Sequence, residues 1–166
     1  MRGGRAYSAT LAKDLVRVEV GSVSYAVEVS RIREIIRPLP VIDLPRRREF
    51  VLGVAEYRDQ VVPVVDLRAS FGLPFQEPSR RTKWVILEAS AGLVGIVVDA
   101  VLDVFSSAEN PLRAVPVLDD RHRQHGITTA YRHDDRLVFL LDTDRLAEPA
   151  VDVPREAASL LPLEAP

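Results

Sequence analysis

No cysteine occurs in the 166 residues. That absence removes disulfide frameworks, thiolate metal ligation and thiol redox chemistry together. Long apolar runs are lacking too. None approaches the ~20 residues of a membrane-spanning helix, and the N-terminal MRGGRAYSAT has no apolar stretch of the kind a signal peptide carries. The expectation is a cytoplasmic protein without membrane insertion. Charge of one sign is also missing, because 22 basic and 24 acidic residues leave a formal net charge of −2. So balanced a surface does not grip nucleic acid through its phosphates. The longest basic run, Arg46-Arg47-Arg48, reads as a solvated loop, with contact to an acidic partner as the alternative.

The sequence anchors of common catalysts are absent as well. There is no GxSxG elbow, no GxxxxGK[ST] loop and no GxGxxG after a strand, so hydrolase, nucleotide and dinucleotide readings lose their usual support. Of three histidines, His122 and His125 stand beside Asp119 and Asp120. On a helix their spacing would put both rings on one face, where they could hold a metal. The run is polar enough to be an exposed loop, and no further ligand set accompanies it. Three aspartates end apolar strands in the same way: Asp66, Asp99 and Asp142. Convergent carboxylates suit acid-base or metal chemistry. The capping reading is stronger, since an aspartate at a strand end accepts the unpaired N–H groups of the next turn, a contribution of ~1 kcal/mol. The single tryptophan, Trp84, opens a strand and is most simply core, with a partner-facing anchor as the alternative.

What is present is apolar alternation. With 47% apolar residues, a chain of this length buries roughly 70% of its unfolded surface. DLVRVEVGSVSYAVEVSRIREII (14 to 36) alternates with period two on both sides of Gly21-Ser22, the pattern of a hairpin. The Ser30 to Ile36 stretch reads as a short helix or a further strand, halted by Pro38 and Pro40. KWVILEASAGLVGIVVDAVLDVF (83 to 105) repeats the pattern 69 positions on, placing Val16 on Val85, Ile32 on Val101 and Glu34 on Asp103. Second hairpins correspond as well: Gly53-Val54 with Gly126-Ile127, Tyr57-Arg58 with Tyr131-Arg132 and Val64-Val65-Asp66 with Leu140-Leu141-Asp142, allowing a small insertion. Such a repeat predicts two similar β-lobes that share apolar surface and leave a groove where they meet. Lobe one spans about 14–73 and lobe two about 83–146, with strand exchange between them open; 1–13 and 147–166 read as flexible ends. Pro63 places its strand at an edge, or turns its nitrogen away from a neighbour.

GVAEYRDQVVPVVDLRASFGL (Gly53 to Leu73) resembles the signature hairpin of CheW-family chemotaxis coupling proteins, in Gly53-Val54, Arg58, Pro63 and Asp66-Leu67-Arg68. YAVEV with IREI, LVGIVVDAVLDV and RLVFLLD agree in order and spacing, so the resemblance covers roughly 14–146. It implies a mainly β fold of two five-stranded SH3-like barrels with short helices, no catalysis and no cofactor. It also implies two partners: a chemoreceptor cytoplasmic tip and the regulatory domain of a CheA-type histidine kinase. By position, Arg58 and Glu34 match the family's receptor-binding pair, with Ile32, Val29 and Val101 as apolar groove lining. The family typically has Asn-Leu before the arginine and Gly after it; here stand Glu56, Tyr57 and Asp59. These modulating positions raise two expectations, namely that Glu56 or Asp59 pairs with Arg58, and that the turn either changes shape or holds an aspartate at positive φ. They also leave open a scaffold in a non-chemotaxis receptor-kinase pathway. A rival of another class is a small metal-dependent enzyme built on the Asp119 to His125 cluster.

Overall fold

The computed structural model describes residues 12–45, 48–108, 112–113, 126–151 and 153. The Asp119 to His125 cluster lies outside the described residues, as do most of the two chain ends. Alternation sets the first hairpin: β1 (Asp14–Val20) and β2 (Val23–Glu28) pair antiparallel from Leu15↔Glu28 to Val20↔Val23, around Gly21 at φ 63. β6 (Lys83–Ala89) and β7 (Gly92–Val98) reproduce that register 69 residues later, from Trp84↔Val97 to Ala89↔Gly92. The stretch after β2 takes the strand alternative: a 3-10 turn at Val29–Arg31 leads into β3 (Ile32–Ile36). Its isoleucines suit a pleated, half-buried surface.

The second hairpin of the first half is β4 (Val51–Tyr57) and β5 (Gln60–Asp66), followed by the one-turn helix α1 (Leu67–Ser70). In the second half, β8 (Ala100–Ser106) precedes the two-residue β9 (Leu112–Arg113), β10 (Ile127–His133), β11 (Arg136–Leu141) and α2 (Thr143–Ala147). One sheet has the order β8-β1-β2-β11-β10-β9 and the other β3-β6-β7-β5-β4. The first hairpin of each half therefore lies in the sheet built by the other half. The strands change places across the boundary expected between 73 and 83. The exchange is reciprocal: β5 runs parallel to β7 through Val64↔Gly95, and β11 runs parallel to β2 through Leu140↔Ala26.

The second hairpins superimpose in sequence at a constant shift of 76, from Ala55↔Val62 to Tyr131↔Val138, with no insertion. This corrects the alignment expected above, since Tyr57 falls on His133 rather than on Tyr131. Both hairpins turn through two residues at positive φ, Arg58 (46) with Asp59 (63) and Asp134 (48) with Asp135 (60). That is the pairing of φ signs that matches strand twist.

Apolar residues sort into cores by strand face. Val16, Val18, Val27, Val65, Val85, Leu87, Ile96 and Leu141 fill a core shared by the two sheets. Leu15, Ala26, Phe105, Tyr131 and Val138 fill the inside of one curled sheet. Tyr57, Val62 and Ile86 cluster within the other, beside a second group there formed by Ala55, Val64 and Trp84. Trp84 is 3% exposed and takes the core alternative.

Polar latches tie the sheets at matching points. Asp99 accepts the Gly21 N–H at 2.7 Å and Arg68 Nη1 at 2.7 Å, while Arg68 Nε donates to the Pro74 carbonyl at 3.1 Å. Across the molecule, Asp144 accepts the Ser90 N–H at 2.8 Å and Arg31 Nη2 at 2.9 Å. Gly21 and Ser90 are equivalent under the shift of 69, so the same turn N–H is held twice with the ion pair reversed in polarity. Arg68 thus reaches from α1 across to Asp99, the residue just before β8. Asp66 accepts the Arg68 N–H at 3.0 Å, and Asp142 accepts those of Asp144 and Arg145 at 2.9 and 3.3 Å. Asp99 caps no helix.

Pro63 stands in β5, which lies between β7 and β4 and is not an edge. Val54, its partner on β4, exchanges both its N–H and its carbonyl with Ile42 on the outer side. The Val54↔Pro63 pair therefore needs no ladder bond, and pairing with β7 begins only at Val64. The same close approach explains Gly53: at φ 148, a Cβ there would lie 2.1 Å from the Ile42 carbonyl oxygen.

Gly53→Ala should destabilise the protein by roughly 3 kcal/mol or more, read as a lowered denaturant midpoint. Asp99→Asn, which strips the charge from the Arg68 latch but leaves its shape, should cost roughly 1–3 kcal/mol by the same measurement.

Candidate functional site

The two ends of the five-stranded sheet curl toward each other, and polar side chains meet where they approach. β3 contributes Glu34, which faces inward because its neighbours Arg33 and Ile35 alternate outward. The tip of β4 contributes Tyr57 and the first turn residue, Arg58. Arg58 Nε and Nη2 donate to Glu34 Oε1 and Oε2 at 3.0 and 3.2 Å, a two-pronged contact. Tyr57 donates its hydroxyl to the same Oε1 at 2.5 Å. The guanidinium carbon lies 5.7 Å from the Tyr57 ring centroid, within cation–π range. Tyr57 is 5% exposed, whereas the Arg58 side chain is 69% exposed. A buried ring thus anchors a presented cation.

The electrostatics follow from these contacts. Hydrogen bonds from Arg58 and then Tyr57 hold the Glu34 carboxyl below the usual glutamate range. Burial and then the hydrogen bond to Glu34 push the Tyr57 phenol up. Glu34 raises Arg58 further, so the guanidinium stays charged at any working pH. Arg58 pairs with Glu34 rather than with Glu56 or Asp59. Both of those acids are exposed, and Asp59 holds the turn at positive φ. The turn keeps its two-residue form, since aspartate tolerates the left-handed region better than most residues.

The other expected residues are distributed differently. Val29 is 39% exposed at the start of the 3-10 turn. Ile32 on β3 and Val101 on β8 are half-buried against the shared core, in different sheets, and are equivalent under the shift of 69. The structure groups Glu34, Tyr57 and Arg58; Val101 joins Ile32 only through that core. The same strands expose Ile35 (37%) and Val104 (63%), residues that sequence reasoning passed over.

The repeat also builds a counterpart in the other sheet. Asp103 stands where Glu34 does and His133 where Tyr57 does, but Asp134 replaces Arg58. The cation comes instead from β1, where Arg17 Nε and Nη2 donate to Asp103 at 2.8 and 3.2 Å. His133 Nε2 lies 3.3 Å from Asp103 and 3.6 Å from Asp134, and its ring stacks on Phe105 at 4.3 Å. Burial alone would raise Asp103, but Arg17 and His133 together hold it below the usual range. Asp103, His133 and Asp134 form the one three-residue group among the described residues close enough to share a cation. Arg17 already occupies both Asp103 oxygens. A shift of 76 rather than 74 is the sequence signal that would have located this group.

The cleft by α1 brings together Glu19, Asp66, Arg68, Phe75 and Asp99. Of its carboxylates, Asp99 is held by Arg68 and the Gly21 N–H, and Asp66 by the helix N-terminus. Burial first raises Asp66, and the Arg68 and Ala69 N–H groups oppose that rise.

Followed by carbon NMR, the Glu34 carboxyl should titrate below the ordinary glutamate range and move up toward it in Arg58→Ala. The sign for stability is fixed by the lowered value. The Glu34 contribution is present above the unfolded glutamate pKa of ~4.3 and is lost as pH falls through the folded one.

A family model described as the CheW-like domain matches residues 14–150. Among curated proteins, a chemotaxis protein CheW from Thermotoga maritima is 30% identical over 137 residues, covering 81% of this chain and 87% of that protein. One from Rhizobium meliloti is 26% identical over 132 residues, covering 80% and 85%. The crystal structure of the scaffolding protein TtCheW from Thermoanaerobacter tengcongensis has the same fold, with a TM-score of 0.72 at 22% identity over 82% of this chain and 88% of that one. With its repeat, its exchanged hairpins and this match over most of its length, the chain belongs to the CheW-like domain family.

Proposed function

We propose that this protein is a non-catalytic adaptor in the cytoplasm, coupling chemoreceptor cytoplasmic tips to the regulatory domain of a CheA-type histidine kinase. The observation that carries the reading is the Glu34–Tyr57–Arg58 group, a charged side chain presented from a rigid hairpin in a chain of the CheW-like family. A preorganised, exposed guanidinium suits recognition: its geometry is set before the partner arrives, so less freedom is lost on binding. Ile32, Val29 and Val101 are the apolar lining of this reading, and a receptor helix docks by such anchors. Asp66, Asp99 and Asp103 are held by backbone N–H groups, arginines or histidine, which supports a binding role over a reacting one at these carboxylates.

A second reading keeps the scaffold and changes the pathway to a receptor-kinase system with another output. The exposed acids Glu56 and Asp59, at positions where family relatives typically carry Asn and Gly, favour it. The neighbouring genes discriminate: motility receptors beside this gene argue for chemotaxis, and other outputs argue against it.

Purified protein should bind both a chemoreceptor cytoplasmic fragment and a CheA regulatory domain in a calorimetric titration, and binding to neither would sink the proposal. Arg58→Glu should weaken receptor binding roughly tenfold or more while leaving the melting temperature nearly unchanged, because an exposed pair contributes little to folding. Unfolding of that variant would instead make Arg58 structural.

A further inference from the structure

The ring and the hydroxyl of Tyr57 do separate things. The ring is buried and packs with Val62, Ile86 and Leu93 inside the five-stranded sheet, so apolar contact alone fixes it. Phenylalanine would fill that space as well. The hydroxyl adds nothing to this packing: it donates to Glu34 Oε1 at 2.5 Å, from the tip of β4 to β3 at the opposite end of the sheet. An O–H meeting a carboxylate at that distance belongs to the strong, charge-assisted class. Burial and the Glu34 contact raise the phenol, so it keeps its proton and stays a donor at neutral pH.

The side chains of Glu34 and Arg58 are 35% and 69% exposed. An ion pair between such side chains is ordinarily loose, because holding two flexible chains in one geometry offsets most of their attraction. Here Oε1 accepts from both Tyr57 and Arg58 Nε, while Oε2 accepts from Arg58 Nη2. A buried donor thus pins the carboxylate from within, and the carboxylate in turn holds the guanidinium along its Nε–Nη2 edge. Arg58 Nη1 makes no hydrogen bond among the described residues. The other sheet shows that closing a curled sheet does not require this arrangement. There His133 stands at the Tyr57 position and Asp134 at that of Arg58, and Asp103 is held from β1 by Arg17.

We propose that Tyr57 is a positioning residue for receptor docking: its hydroxyl, acting through Glu34, fixes Arg58 in the orientation that leaves the Nη1 end open to the docking segment. The inference rests on the receptor-docking reading above and adds the group that sets the arginine in place. Without the hydroxyl, Glu34 and Arg58 still attract each other but sample more arrangements. Docking must then order both side chains, which weakens it.

The experiment titrates the full chain with a purified chemoreceptor cytoplasmic fragment, comparing wild type, Tyr57→Phe, Glu34→Ala and the double variant, with melting temperatures measured alongside. Tyr57→Phe keeps the ring, so it should stay folded and bind roughly twofold to tenfold more weakly than wild type. On the Glu34→Ala background the same change should weaken binding no further, because the hydroxyl has lost the group it acts through. A tyrosine that only supported the fold would weaken both backgrounds alike. In the free protein, carbon NMR should find the Glu34 carboxyl of Tyr57→Phe titrating higher than in wild type, since one of its hydrogen bonds is gone. If wild type binds and Tyr57→Phe binds equally well, or the two changes add, the inference is overturned alone. Where Glu34→Ala binds too weakly to compare, the NMR titration decides: weaker binding with an unmoved Glu34 carboxyl overturns the inference. Should Tyr57→Phe unfold, the hydroxyl is structural and the inference falls. If wild type binds no receptor fragment, the docking reading beneath it falls.

Discussion

Leu15 and Val16 point to opposite faces of β1, and each enters a different core. Leu15 fills the inside of its own curled sheet, and Val16 packs into the seam between sheets. The same division runs through the other exchanged hairpin: Trp84 faces inward and Val85 faces the seam. A hairpin that must bury both faces cannot belong to one lobe alone. The seam therefore binds the two halves into one folding unit, and exchange of the first hairpins follows from how its residues are patterned. Apolar burial contributes ~25 cal/mol for each Å² removed from water, and among the described residues this seam holds the largest group of buried apolar side chains.

The latches at Asp99 and Asp144 are consequences of that arrangement. Each holds the turn N–H of an exchanged hairpin against the helical or crossover segment of the other sheet, and the two differ only in which partner carries the positive charge. Repeated halves keep backbone geometry because register and turn type are tightly constrained, whereas a salt bridge can be inverted without moving the chain. The same tolerance separates the two ends of the molecule. Glu34, Tyr57 and Arg58 close one curled sheet, and Asp103, His133 and Arg17 close the other. Equal geometry carries unequal chemistry, and only the first group presents an exposed cation on a turn.

Much of this was legible from the order of residues. Period-two alternation broken at Gly21-Ser22 located the first hairpin, and a shift of 69 located its copy, because side chains in a strand must alternate between faces. Asp66 and Asp142 were readable as strand-end acceptors for the same local reason. Other features escaped. In the second repeat Val64-Val65-Asp66 was rightly set on Leu140-Leu141-Asp142, but the preceding strand was misaligned, by three residues at Gly53-Val54 and two at Tyr57-Arg58, because apolar and aromatic identities vary freely inside a core, while the two-residue turn that sets the register is marked in sequence only by Arg58-Asp59 and Asp134-Asp135. For Pro63 the sequence left an edge strand or a nitrogen turned from its neighbour as alternatives, and could not exclude the edge because the bond between Val54 and Ile42 joins residues twelve apart across an irregular segment.

By itself the sequence determined a mainly β chain with an internal repeat and without cysteine, and it carried the resemblance to a family of adaptors, all properties of local pattern. Tertiary structure alone decided which half owns each hairpin, that Arg68 reaches Asp99, and that Arg58 meets Glu34 rather than the acids beside it. Neighbours in sequence on a tight turn point apart, whereas Glu34, twenty-four residues away on the opposite end of the sheet, is brought to Arg58 when the sheet curls to bury its core.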